Sequence, residues 1–324
     1  MGEVPSGGCG SAPASRYRHD ALLYDSLDAL AGVTAPFLGA GLDAGEAAVV
    51  AAGPSTAAAV CAAVGDDPRL VVVDRTDASA RRTPTAITTF RRLADRLVAA
   101  GVTRIRVVGE IDVGRTGRDW LEWQRYEAAL NHALADWPLW SLCVFDRRRL
   151  PDPVLASVLA THPVLVSDGD RRPNPAFVDP ARYLRELPVP PEPLEGTPPR
   201  LDVRGVTDFI GLRHAVAAEL GGVRGDRALV EDFLLAVDEM TSNAVRHGRP
   251  PVDLALWISR GSVVCRIRDR GPGPDDPFAG YGPAHGDDLS RGGMGLWLAR
   301  QLCDHVDITR DPDGVVVRLT TNLD

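Results

Sequence analysis

Glu239 and Asn243 set a carboxylate and a carboxamide four residues apart in the run Val237-Asp238-Glu239-Met240-Thr241-Ser242-Asn243-Ala244-Val245-Arg246-His247-Gly248. On a helix, residues at i and i+4 share one face. An acid beside an amide can hold a water, a hydrated magnesium ion, or both. Two glycine-rich segments follow in order: Asp269-Arg270-Gly271-Pro272-Gly273, then Arg291-Gly292-Gly293-Met294-Gly295-Leu296. Asp269 ends an apolar strand pattern, where a carboxylate can accept a hydrogen bond from an exocyclic amine. Gly271 and Gly273 let the backbone pass close beneath a flat base. Gly292, Gly293 and Gly295 precede or open a helix, and amides at a helix N-terminus suit phosphate oxygens. Arg291 stands just before them, where a guanidinium can contact a terminal phosphate. Singly, each fragment is commonplace: a turn, a loop before a helix, a solvated helix face. Their order along one chain is what makes them specific.

The elements that must position these residues can be traced in the pattern. Helices are predicted over 209–220 and 227–247, strands over 252–259 and 262–268, and a helix over 294–303. A strand, turn and strand close the chain at 306–310 and 315–320 around Pro312-Asp313-Gly314. Helices and a largely antiparallel sheet in separate layers predict an α/β sandwich over 201–324. Upstream, over 16–166, predicted helices at 27–41, 55–64, 84–100 and 117–135 alternate with strands at 47–52, 70–73, 105–108 and 140–145. This alternation predicts a three-layer α/β domain with a mostly parallel sheet. Pro84 suits a first helical turn, and Pro36 predicts a kink. Between the halves, prolines crowd from Pro173 to Pro199. They predict an extended linker over 167–200, with a short helix at 181–187 and few contacts crossing between the halves. Residues 1–15, rich in Gly, Ser, Pro and Ala, read as a disordered tail.

Bulk properties narrow the function. The chain has 324 residues and a net charge of −8, which argues against direct nucleic-acid binding as the main role. The five cysteines, Cys9, Cys61, Cys143, Cys265 and Cys303, have no metal-ligand spacing and read as reduced thiols of a cytoplasmic protein. Neither a signal peptide nor a membrane-spanning run is read. His247 reads as a structural histidine at a helix C-terminus, where the dipole favours it.

The ordered triple resembles the N box, G1 box and G2 box of the GHKL ATPases. Over 209–319 the resemblance is to the anti-sigma factor serine kinases, carried by Leu235-Ala236-Val237-Asp238-Glu239, by Ser242 through Gly248, and by the two glycine segments. It implies a cytoplasmic, ATP- and magnesium-binding GHKL domain. In it Asn243 coordinates Mg2+, and Asp269, Gly271, Gly273, Gly292, Gly293 and Gly295 bind nucleotide. Glu239 orients or deprotonates the attacking group, and Arg291 contacts the γ-phosphate. The segment 274–290 corresponds to the ATP lid. The implied activity is phosphorylation of a serine on a STAS-type anti-anti-sigma partner, coupled to sequestration of a sigma factor; a homodimer is compatible with it. Two alternatives stay open: an ATP-dependent binding switch without catalysis, and a histidine-kinase-like signalling protein. No phospho-accepting histidine on a dimerisation hairpin is seen to favour the second.

The first half resembles the MEDS sensory domain, through Arg18-His19-Asp20-Ala21-Leu22-Leu23-Tyr24, Gly109-Glu110 and Gln124-Arg125-Tyr126-Glu127-Ala128-Ala129-Leu130-Asn131. Such domains are similar to the RecA-like core, but the first strand is followed by Ala52-Gly53-Pro54-Ser55, with no P-loop lysine. ATP hydrolysis in this half is therefore not expected. His19, Glu110 and Glu127 are candidates for a sensing pocket, weighed against a purely structural role. Trp120, Trp123, Trp137 and Trp140 read as core or interface.

Overall fold

The computed structural model describes residues 17–74, 82–111, 116–223, 226–282 and 294–323. The tail at 1–15, with residue 16, and the G2 residues Arg291, Gly292 and Gly293 lie outside the described residues, as do residues 283–290 of the lid segment.

Among the described residues of the first half, β1 (Arg18–Tyr24), α1 (Leu27–Asp43), β2 (Ala47–Ala52), α2 (Pro54–Val64) and β3 (Leu70–Asp74) come first. Then follow α3 (Thr83–Ala99), β4 (Ile105–Glu110), α4 (Gly117–Ala133), β5 (Leu139–Asp146), α5 (Asp152–Thr161), β6 (Val164–Ser167) and β7 (Asp170–Pro173). The sheet order is β3-β2-β4-β5-β1-β6-β7. All pairs are parallel except β6 with β7. Every residue of β2 is buried because it is covered twice. Ala48, Val50 and Ala52 pack under α1 and α2, whereas Ala47 and Val49 pack under α3 and α4. A strand sandwiched in this way reads as a continuous apolar run. Pro36 lies inside α1, on a helix capped by Ser26, whose hydroxyl accepts from Ala29 N–H at 3.1 Å.

The proline-rich segment is folded over part of its length. It holds β7, α6 (Pro180–Glu186) and a 3-10 turn at Pro193–Gly196. Arg318 donates to Pro190 O at 2.6 Å and Trp257 Nε1–H to Thr197 O at 2.9 Å, so the segment is tied to the second sheet.

The second half contains β8 (Leu201–Val203), α7 (Phe209–Leu220), α8 (Arg227–Arg246), β9 (Asp253–Ile258), β10 (Ser262–Asp269), α9 (Gly295–Leu302), β11 (His305–Asp311) and β12 (Gly314–Asn322). Its sheet runs β11-β12-β10-β9-β8 and is antiparallel throughout. Alternation in β10 sorts the faces: Val263, Cys265 and Ile267 meet α7, α8 and α9 in one core. Val264, Arg266 and Arg268 alternate with them, and Val264 packs with Ala255 and Trp257 under Leu194. This is the α/β sandwich expected of a GHKL domain, joined to a three-layer α/β unit with a mostly parallel sheet.

Contacts between the halves are more extensive than the linker pattern predicts. Asp307 on β11 is 1% exposed. It accepts from Arg118 (2.9 Å) and Arg125 (2.7 Å) of α4, and from Arg318 (2.8 Å) of β12. Burial alone would raise this carboxyl, but the Arg125 and Arg118 charges and the hydrogen bonds outweigh it and hold it well below the usual carboxylate range. Glu122 of α4 lies 3.2 Å from His305 Nδ1. Arg82 donates to Gln301 O of α9 at 2.6 Å. No alternation rule flags Asp307, because a lone acid on the polar face of a strand looks like a solvated residue until its partners are placed.

Candidate functional site

The helix α8 carries the acid–amide pair because its two sides do different work. Phe233, Ala236, Val237, Met240 and Ala244 are buried against the sheet. Glu239 and Asn243, both half-buried, lie beside that stripe and face the start of α9. A Cβ built at Gly295 would stand 2.8 Å from Glu239 Oε2 and 3.0 Å from Asn243 Nδ2. Glycine is therefore what lets the first turn of α9 approach the pair, with its amides at the helix N-terminus beside it. His247 caps α8, its N–H returning to Asn243 O at 2.9 Å, and its side chain is exposed.

Asp269 closes β10 and is 6% exposed. Its Oδ1 accepts from Gly271 N–H at 2.6 Å and Arg249 N–H at 3.1 Å. Those two amides fix the carboxylate, and among the described residues no hydrogen bond reaches Oδ2. The packing around it tolerates only glycine. A Cβ at Gly248 would sit 2.4 Å from Asp269 Oδ1, and one at Gly271 2.7 Å from it. Gly273 adopts φ +70°, a left-handed conformation suited to glycine, and lies on Val315. Gly248 was not singled out from the sequence. The available signal was its place just after the N-box helix, where it touches the G1 carboxylate.

The segment after G1 runs onto the first half. Phe278 stacks on His132 of α4, ring centroids 4.0 Å apart and 8° from parallel. Tyr281 is 4% exposed within the core cluster that holds Tyr126 and Leu130, with the Arg300 guanidinium 4.5 Å over its ring. A cavity of about 580 Å³ lies between this segment, α6 and β11, lined by residues including Arg185, Asp276, Arg300 and Arg310.

The candidate sensing residues separate. His19 and Glu127 are adjacent, Nε2 to Oε2 at 3.1 Å, and both are buried. Glu110 engages a different place: it accepts from Gly53 N–H at 2.8 Å and from the Thr56 hydroxyl at 3.0 Å. A carboxylate thus occupies the N-terminus of α2, where a P-loop fold would cradle phosphate. The four tryptophans pack in the core clusters or under arginines, as with Trp123 edge-on to Tyr126 and Trp140 beneath Arg106. No helix among the described residues is long and apolar enough to cross a membrane.

Comparison with known families agrees with this arrangement. Residues 18–163 match the MEDS family, described as the MEthanogen/methylotroph, DcmR Sensory domain. Residues 206–321 match the histidine kinase-like ATPase domain. The serine-protein kinase RsbW of Bacillus velezensis is 30% identical over 151 residues, spanning 43% of this chain and 84% of that protein. RsbW of Bacillus subtilis is 29% identical over 156 residues, 44% of this chain and 87% of its own. RsbW of Halalkalibacterium halodurans is 31% identical over 148 residues, 41% and 85% respectively. The chain belongs to the family of the anti-sigma serine-protein kinases RsbW, with a MEDS domain added at its N-terminal side.

Proposed function

We propose that this chain is an ATP- and magnesium-dependent protein kinase. It phosphorylates a serine of a STAS-type anti-anti-sigma partner and sequesters a sigma factor when that partner is modified. The boundaries that go with this reading are 16–166 for the sensory domain, 167–200 for the connecting segment and 201–324 for the kinase domain. The observation that carries it is the approach of Gly295 to Glu239 and Asn243, which leaves a cradle beside both side chains that any Cβ would fill. Asp269, held by two amides with Oδ2 left over, fits an adenine amine. Asn243 would hold a magnesium ion, which would supply positive charge against that of the phosphates. Glu239 takes the proton from the serine hydroxyl as its oxygen attacks the γ-phosphorus, and ADP departs. The resemblance assigns phosphate contacts to Arg291, Gly292 and Gly293, which lie outside the described residues. Cytoplasmic action follows from the partners this requires. The direct test is incubation of the full chain with γ-labelled ATP, magnesium and candidate STAS proteins. Label on a single serine, absent when that serine is alanine, is the expected result; nucleotide binding without label would favour the binding switch.

Control by the first half is part of the same proposal. The stack of Phe278 on His132 and the burial of Tyr281 attach the beginning of the lid segment to α4 and its neighbours. Closure of an active-site lid commonly gates catalysis. Phe278→Ala is expected to change the phosphotransfer rate by roughly 5–150-fold, the usual range of coupling between sites. Rates matched to wild type would leave the anchor with a packing role alone.

A further inference from the structure

Four side chains that no part of the proposed kinase site uses converge inside the first half. His19 comes from β1, Cys143 from the neighbouring β5, Glu127 from α4, and His162 follows α5. All are buried, and their ligand atoms lie within 4.8 Å of one another. His19 Nε2 is 3.1 Å and His162 Nε2 3.2 Å from the same oxygen, Glu127 Oε2. Cys143 Sγ is 3.4 Å from His19 Nε2.

The outer hydrogen bonds decide which ring nitrogens carry hydrogen. Asn131 donates its amide hydrogens to Glu127 O (3.1 Å) and Thr161 O (3.0 Å), which turns its Oδ1 toward His19 Nδ1 at 3.2 Å. His162 Nδ1 lies 2.8 Å from Val158 O. Both Nδ1 atoms therefore face acceptors and carry the hydrogen. In the neutral rings both Nε2 lone pairs then point at a carboxylate; the Cys143 thiol can donate only toward His19 Nε2, and His162 Nε2 faces Glu127 with no donor between them. This is the orientation outer-shell carbonyls impose on metal-ligating histidines. Charge points the same way. Two imidazolium rings and one carboxylate would bury a net positive charge. A single imidazolium would leave the other Nε2 lone pair against Glu127. A divalent cation with one carboxylate and one thiolate is neutral, as a dry site requires.

We propose that His19, Glu127, Cys143 and His162 bind one transition-metal dication, zinc by donor type. Tetrahedral zinc with bonds of about 2.0–2.3 Å sets ligand atoms roughly 3.3–3.7 Å apart, so the observed 3.1–3.4 Å pairs open slightly while the wider pairs, all within 4.8 Å, close in to complete the shell. Four protein ligands make a closed site, of the structural kind, tying β1, β5 and α5 to α4. The same helix α4 carries Arg118, Glu122 and Arg125 to the kinase half, so the metal would set the position of the helix that joins the two. The sequence hid this site because the four ligands span residues 19–162 with no short spacing between any two of them.

The test is metal analysis of the full chain. After loading with zinc and dialysis against metal-free buffer, about one equivalent per chain is expected to remain. Cobalt in its place should give a thiolate-to-metal charge-transfer band, and Cys143→Ser should lose that band. X-ray absorption of the zinc-loaded wild-type chain needs no variant: one sulfur and three nitrogen or oxygen neighbours are expected. A folded wild-type chain that retains no metal overturns the proposal. So does a shell without sulfur or with two sulfurs, or a cobalt band that survives in Cys143→Ser.

Discussion

Glu239→Gln is expected to slow serine phosphorylation by about 10²–10⁴-fold while ATP still binds, since a positioned general base contributes on that scale. The amide keeps the size of the side chain and its contact with the first turn of α9 but cannot take a proton. Glu239 stands one turn before Asn243 on α8, half-buried and within reach of the space that Gly295 leaves open. Single-turnover transfer of labelled phosphate to a STAS partner separates this from a binding defect. A variant that transfers at the wild-type rate would remove Glu239 from the role of base and leave it as a positioning group.

The second large effect lies where the halves meet. Asp307→Asn removes the one carboxylate that Arg118, Arg125 and Arg318 share, and is expected to cost about 3–5 kcal/mol of stability, as breaking buried ion pairs does. Asp311→Asn, on the exposed pair with Arg268, should cost roughly 1 kcal/mol or less. The pH dependence has a definite sign. The folded Asp307 carboxyl is depressed relative to the unfolded chain, where it titrates near about 3.9. Its stabilisation is therefore complete above that value and is lost as pH falls below it. Urea midpoints of wild type and Asp307→Asn should differ most at neutral pH and converge in acid. A gap that is small at pH 7, or that widens in acid, would contradict the burial and pairing of Asp307.

Much of this was legible in the chain because period and punctuation agree. The predicted strand 47–52 and the helix 209–220 coincide with β2 and α7, where the residues that must be buried recur at the spacing of the element. The acid–amide pair and the G1 segment were singled out in the chain, and α8 and α9 bring Glu239, Asn243 and Gly295 together, with Asp269 held at the end of β10. Short elements were missed: β8 has three residues, and α5, with Pro153 in its first turn, shows little amphipathic pattern. The short helix expected at 181–187 corresponds to α6, but the ties of the proline-rich segment to the second sheet were missed, because proline marks where a helix cannot continue but not what the flanking residues bind. Arg318 and Trp257, which hold it, lie far along the chain. His19 and Glu127 were singled out as pocket candidates, but their grouping with Cys143 and His162, like the Asp307 cluster, was missed for the same reason. Both join residues more than a hundred positions apart, and only the β5–β1 register and the docking of α4 make them neighbours.

The central claim, one nucleotide site per chain built on the N box of the second half, is tested most directly by calorimetric titration of ATP into the full chain with and without magnesium. One ATP per chain is expected, with binding that requires magnesium and disappears in Asn243→Ala while the circular dichroism stays that of wild type. Nucleotide binding of unchanged affinity in Asn243→Ala, or a second ATP bound by the half in which Glu110 already fills the α2 N-terminus, would contradict it.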